Sequence, residues 1–255
     1  MKKTLFAAAL LLATAVHAAD APRKYGILSL VGDSISTVTY VPEIGSRLDT
    51  NDKLVYSLGD NTLFDEAAIR TASAALQQIA PDAGRFLMLS TDAELHNVQN
   101  GMFENPDANQ VNREFLKSLW KGKEITHLIL ITKYRTEAEL KFMNESLGTG
   151  KIEGLGFYMD NRVELTSHDG KKNTHESSKG VLMPFAYIKL RLVNPETLEV
   201  EREVRLKQSE MVTYAQGTDQ AVRTWQALTA KEKTQYLDHL LREAVTEGVP
   251  RLLKQ

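Results

Sequence analysis

Residues 25–41 read YGILSLVGDSISTVTYV, and the way Gly32-Asp33-Ser34 is taken decides the fold. The apolar run Ile27-Leu28-Ser29-Leu30-Val31 enters the glycine, and a β-branched run over residues 34–41 leaves it. Valine, isoleucine and threonine lose side-chain freedom in a helix and fit a pleated surface, so both runs predict strands. Gly-Asp between two strands supplies positive φ where a two-residue turn needs it. The expectation is a β-hairpin.

Outward from this stretch, strands alternate with helices. Residues 54–58 predict a short strand. Phe64, Ala67, Ala68, Ala72, Ala75, Leu76 and Ile79 recur at helical spacing up to Pro81. Residues 86–89 predict a buried strand, and Thr91-Asp92-Ala93-Glu94 a capping box that opens a short helix. Pro106 suits the start of the next helix, with Val111, Phe115, Leu116, Leu119 and Trp120 as its apolar face. Residues 125–131, ITHLILI, are apolar on both faces, as a covered central strand must be.

After that the pattern turns antiparallel. Residues 155–166 predict a strand, 167–180 a polar loop, and 184–193, PFAYIKLRLV, an alternating strand with Lys189 and Arg191 on a solvated face. Asn194-Pro195-Glu196-Thr197 is a turn into the alternating residues 198–206. A second capping box, Thr229 to Glu232, opens a closing helix that Pro250 should bend or end. The fold class is α/β, becoming α+β towards the C-terminus, with a mixed sheet flanked by helices, antiparallel hairpins and a C-terminal helix.

Residues 1–18, MKKTLFAAALLLATAVHA, have two lysines, an apolar stretch of about a dozen residues and a small-x-small end, which reads as a signal peptide cleaved near Ala18. The apolar stretch falls short of the ~20 residues of a membrane span, and no later segment reaches that length without charges. Residues 19–255 then form a single α/β domain, periplasmic or secreted. Removal of Lys2 and Lys3 leaves 29 basic against 33 acidic residues, a balance that argues against a nucleic-acid surface. The chain has no cysteine, so the fold rests on its core, with no site for a cysteine-linked lipid anchor.

Three constellations carry possible chemistry. Gly32-Asp33-Ser34 after an apolar strand resembles the nucleophile block of the SGNH or GDSL serine esterases. Such an enzyme needs an oxyanion donor and a base with its orienter. Gly59-x-Asn61 imitates the donor block, but no Asp-x-x-His follows, and Asp238-His239 are neighbours that point ~100° apart on a helix. Ser34 therefore stands as an alternative nucleophile only, and no catalytic residue is assigned. His168, Asp169, His175 and Glu176 are good metal ligands at the two ends of one segment, but Lys171 and Lys172 lie between them; no metal or other cofactor is expected, and this set stands as an alternative site. Lys133 and Arg135 follow the central strand, where open α/β sheets bind ligands, and they are the candidate ligand-binding residues.

Two further histidines have structural readings: His127 as a hydrogen-bonded core residue, and His96 in an i−4 pair with Asp92. Leu140, Phe142, Met143 and Leu147 lie in a segment read as helical, either a contact surface or core.

Residues 124–206 combine a buried strand ending in Lys133-Tyr134-Arg135, a glycine-containing excursion, and the hairpin AYIKLRLVNPETLEVERE. This pattern resembles the periplasmic α/β domain of curli-secretion channel proteins and of the activator lipoproteins of peptidoglycan synthases. The resemblance implies a binding or accessory role in the envelope, and no substrate or catalytic residue; the expected partner is an envelope protein. The expected function is a non-enzymatic periplasmic binding or accessory protein. The alternatives are a serine esterase using Ser34 and a small-ligand or metal-binding module.

Overall fold

The computed structural model describes residues 23–42, 51–142, 144–169, 174–212 and 219–254, without the side chains of 166–169 and 174–177. Residues 1–18, expected to be a signal peptide, lie outside this set. The first half contains β1 (Lys24–Ser29), β2 (Ser34–Thr39), β3 (Asp52–Ser57), α1 (Leu63–Ile79), β4 (Gly84–Met88), α2 (Ala93–Val98), α3 (Gly101–Glu104) and α4 (Gln110–Ser118). Next come β5 (His127–Lys133), β6 (Arg135–Glu137), β7 (Leu140–Phe142), β8 (Glu145–Leu147) and β9 (Lys151–Asp169). The chain continues through β10 (Thr174–Val193), β11 (Val200–Ser209), α5 (Gln220–Ala227) and α6 (Ala230–Leu253).

Among the described residues nine strands form one mixed sheet, with the path β3-β2-β9-β10-β5-β1-β4 and with β11 and β6 paired to β10 and β9. Flanking helices and the closing α6 complete the expected class. The sheet faces take up alternate residues. Ile27, Ile129 and Ile131 face α1 and α6, whereas Leu28, Leu30, Leu128 and Leu130 face α2, α3 and α4. Strand β5 is central and buried, as its apolar run predicts.

The opening hairpin does not form. Both strands exist, but β1 pairs in parallel with β4 on one side and β5 on the other, so it has no edge left for β2. Leu30 N extends the β5 pairing by donating to Ile131 O at 2.9 Å, and the chain then crosses to β2, which lies beside β9 in parallel and β3 in antiparallel register. Gly32 has no positive φ; its value is a close approach, since a Cβ there would lie 2.6 Å from Asp65 Oδ2.

Other expectations change for equally local reasons. Strand β4 is an edge, and Leu87 is half exposed. The first short helix is capped by Asp92, whose Oδ1 accepts from Leu95 N at 2.8 Å, in place of Thr91. On α4, Leu116 is buried but Val111 is 82% exposed, so its apolar face is narrower than expected. Residues 140–147 make the antiparallel pair β7–β8, not a helix, and Leu140 is core. Most of the expected loop 167–180 is strand, with His168 opposite His175. The Thr229 capping box forms, and α6 runs through Pro250 to Leu253, because a proline in the last turn forfeits only one amide bond.

The hairpin β10–β11 has the expected antiparallel register, from Phe185↔Ser209 to Val193↔Val200, but no solvated face on β10. Lys189 and Arg191 are buried. Arg191 Nε donates to Glu203 Oε2 at 2.9 Å, Nη1 to Thr132 Oγ1 at 3.0 Å and Nη2 to Asn100 Oδ1 at 3.0 Å, while Phe103 lies under the guanidinium. A charge is buried only where such partners replace water.

Candidate functional site

The strand order places β1 between β4 and β5; the chain leaving β1 returns to β4 through α1 on one face of the sheet, and the chain leaving β4 reaches β5 through α2 to α4 on the other. Such a reversal opens a crevice at the carboxyl ends of the strands. Here the crevice is a cavity of about 560 Å³. Asp33 and Ser34 come to it from the end of β1, Ser90 and Thr91 from β4, and Lys133 from β5. One face of β2 and β3 forms the far wall, where Ser34 lies opposite Ser57 and Ser36 opposite Val55.

Lys133 is the centre of the polar floor. Its Nζ lies 2.5 Å from Asp33 Oδ1 and 2.8 Å from Ser34 Oγ, which in turn donates to Asp33 Oδ2 at 3.2 Å. Its backbone is fixed by two amides from the end of α2: Lys133 N donates to Gln99 Oε1 at 2.7 Å, and Asn100 Nδ2 donates to Lys133 O at 2.9 Å. Gly154, at φ +67, leaves room for the lysine stem, because a Cβ there would sit 3.0 Å from Lys133 Cγ and Cδ.

Behind this floor lies a buried carboxylate. Asp65, in the first turn of α1 and 2% exposed, accepts from Ser29 Oγ at 2.6 Å and Val31 N at 2.9 Å through Oδ1, and from Gly32 N at 3.2 Å through both oxygens. It thereby pins the crossing segment that carries Asp33 and Ser34. His96 Nε2 lies 3.4 Å from Asp65 Oδ2, and His96 Nδ1 lies 2.9 Å from Asp92 O. Burial lowers the imidazole pKa, but the bonds to Asp65 and to the Asp92 carbonyl, with the nearby carboxylate charges, outweigh it and raise the pKa. Both ring nitrogens face acceptors, which is the arrangement of an imidazolium.

These contacts define what the cleft can do. A serine nucleophile needs an adjacent base with a free lone pair. His96 has both nitrogens engaged, and Lys133 Nζ is taken up by Asp33 Oδ1 and Ser34 Oγ. The cleft is instead a polar cavity with two charge pairs already formed, Asp33–Lys133 and Asp65–His96. Around them stand groups with no ion pair or side-chain hydrogen bond among the described residues. Glu153 is half-buried, Lys53 and Asp60 are exposed, and the buried Ser36 Oγ lacks a partner.

Of the residues singled out in the sequence, Ser34 and Lys133 meet. Arg135 does not join them; it is exposed on β6, opposite Glu153 in register. Gly59 and Asn61 line the same cavity as Ser34, yet Asn61 Oδ1 is taken by Leu63 N at 3.0 Å, at the start of α1. Asp238 binds Arg242 on α6, and His239 lines a separate surface hollow. The side chains of His168, Asp169, His175 and Glu176 lie outside the described set; no group of metal-binding side chains occurs among the described residues. His127 is half-buried, stacked on Tyr25 and bonded to Thr126 Oγ1 at 2.9 Å, and burial lowers its pKa.

Asp65 was missed, although it had a signal: an aspartate stands on the apolar stripe of Phe64, Ala68, Ala72 and Leu76. A carboxylate at that position must find donors.

No family model matches the chain, and no curated protein matches it. Among solved structures, it is similar to a neuraminyllactose-binding hemagglutinin homolog from Helicobacter pylori, with 9% identity and a TM-score of 0.34 over 92% of this chain and 86% of that one. It is also similar to a lipoprotein from Neisseria meningitidis, with 11% identity and a TM-score of 0.29 over 90% of this chain and 99% of that one. A third is the PelC dodecamer from Paraburkholderia phytofirmans, with 7% identity and a TM-score of 0.28 over 88% and 89% of the two chains. Likenesses this slight carry no functional weight, and they do not support the link to curli-secretion or synthase-activator domains. Among the described residues no helix is long and apolar enough to cross a membrane.

Proposed function

We propose that this chain is a non-enzymatic binding protein of the bacterial envelope, and that its ligand occupies the cleft between Lys133, Ser34 and β3. The observation that carries the reading is the lining. Lys133 and Asp33 neutralise one another at the carboxyl ends of the parallel strands, while Glu153, Lys53 and the Ser36 hydroxyl remain free for a guest. A polar cavity of this volume lies within the ~300–1,000 Å³ of small-molecule sites. The basic, apolar and small-residue succession of residues 1–18 supports export.

The test is native mass spectrometry of the protein purified from the periplasm, set beside its denatured mass. The expected result is a denatured mass beginning at Ala19 and a native mass larger by a small molecule. A native mass equal to the denatured one, with no thermal shift from any class of small molecule, removes the reading.

A second reading, hydrolysis by Ser34, is favoured by one contact, the 2.8 Å between Lys133 Nζ and Ser34 Oγ. It requires the lysine to lose a proton beside Asp33. Labelling by a fluorophosphonate probe that disappears in Ser34→Ala would put this reading first.

A further inference from the structure

The free charges of the cleft are not scattered. Once Asp33–Lys133 and Asp65–His96 cancel, Asp60 and Glu153 remain at one end and Lys53 at the other. Register fixes the length of the wall between them: Lys53 lies opposite Val38 and Ser57 opposite Ser34, four residues apart along β3. At the ~3.4 Å rise of a strand that is about 13 Å. Glu153 adjoins Gly154 and Leu155, and Leu155 pairs with Ile35, so Glu153 belongs to the Ser34 end. Asp60 follows directly after the Ser57 end of β3.

Between the two ends the wall is hydroxyl-bearing. Ser34, Ser36 and Ser57 share one face of β2 and β3, with Val55 among them. Ser36 is 4% exposed, and its Oγ is buried with no hydrogen-bond partner. A buried hydroxyl without a partner is costly unless something meets it. The complement of this surface is an elongated molecule with an ammonium at one end, a carboxylate at the other and hydrogen-bonding groups between.

We infer that the ligand is a short linear peptide with free termini, its ammonium at Glu153 and Asp60, its carboxylate at Lys53, and its amides along the Ser34, Ser36 and Ser57 hydroxyls. Three to four extended residues span roughly 10–14 Å, which matches the length of the β3 wall from Lys53 to Ser57. The inference rests on the cleft being the ligand site and adds what the cleft selects.

The test is calorimetric titration of the mature protein with Ala-Ala-Ala, with the same peptide acetylated and amidated, and with glucose. The free tripeptide should bind, and capping both ends should weaken it at least tenfold, a comparison that needs no altered protein. Glu153→Gln should weaken the free peptide at least fivefold and leave an acetylated peptide unaffected. Lys53→Met should do the same for the carboxyl end, leaving an amidated peptide unaffected. Equal binding of the capped and free peptides overturns the inference, as does indifference of the free peptide to both substitutions. Binding of glucose alone overturns the ligand class while the cleft stands. If no probe binds, the peptide falls, and the native mass measurement decides the cleft separately.

Discussion

Asp65 Oδ1 lies 2.9 Å from the backbone nitrogen of Val31, 34 residues earlier in the chain, and this contact holds the segment that carries Asp33 and Ser34 against the first turn of α1. Removing the carboxylate would leave Ser29 Oγ and the amides of Val31 and Gly32 buried without an acceptor. Asp65→Ala should therefore cost about 2–4 kcal/mol in urea unfolding, with a smaller loss for Asp65→Asn, which keeps one acceptor oxygen. A loss under about 1 kcal/mol for the alanine variant would contradict this account.

Gly32 faces the same carboxylate. A methyl group there would lie 2.6 Å from Asp65 Oδ2, so Gly32→Ala must displace either the crossing segment or the aspartate. The expected loss is roughly 1–3 kcal/mol, typical of overpacking. A stability equal to the wild type would mean that the crossing segment is free to move away from α1.

His96 makes the fold sensitive to pH. Its pKa is raised above the ordinary 6.5, with Asp65, Asp33 and Asp92 O as the groups facing it. Folding therefore takes up a proton on this ring. The stabilisation is fully present below pH 6.5 and is lost as pH rises through the folded-state value. His96→Gln should flatten the stability curve above pH 6.5 and leave its acid limb, where carboxylates titrate, in place. Parallel curves for the two proteins across that range would refute the assignment.

The buried guanidinium of Arg191 is a second strong point. Arg191→Met would strip Glu203, Thr132 and Asn100 of a shared donor, and a loss of about 3 kcal/mol is expected, near the low end for broken buried pairs because Arg205 still binds Glu203 at 2.7 Å. Equilibrium unfolding decides it.

Much of the architecture could be read from periodicity. The strand of residues 125–131, the helix beginning at Phe64 and the capping box at Thr229 reappear as β5, α1 and α6, because each is decided by residues close in sequence. Pairing was not legible. Whether β1 meets β2 depends on whether β4 and β5 claim its two edges first, and residues 27–41 contain no information about that. The same limit hid the burial of Lys189 and Arg191, whose alternation with Ile188 and Leu190 suggests a wet face; what covers them, Phe103 and Asn100, comes from a distant helical region. Half of the site was visible. Lys133 stands at a strand end, where α/β sheets bind, and Ser34 drew notice for another chemistry, but their contact joins residues 99 apart. Glu153 and Ser36 carry no motif at all.

The route from β1 to β2 also sets an order of assembly. Strand β1 meets β4 across about 60 residues of chain and β2 meets β3 across about 20, whereas the pairing of Ile35 with Leu155 must await a strand about 120 residues further along. Contacts that close long loops are slow to form. In refolding, the β2 amides on the edge that faces β9 should gain protection from exchange later than those of β1, so that the β2–β3 wall of the cleft joins the sheet after β1 has found its place in it.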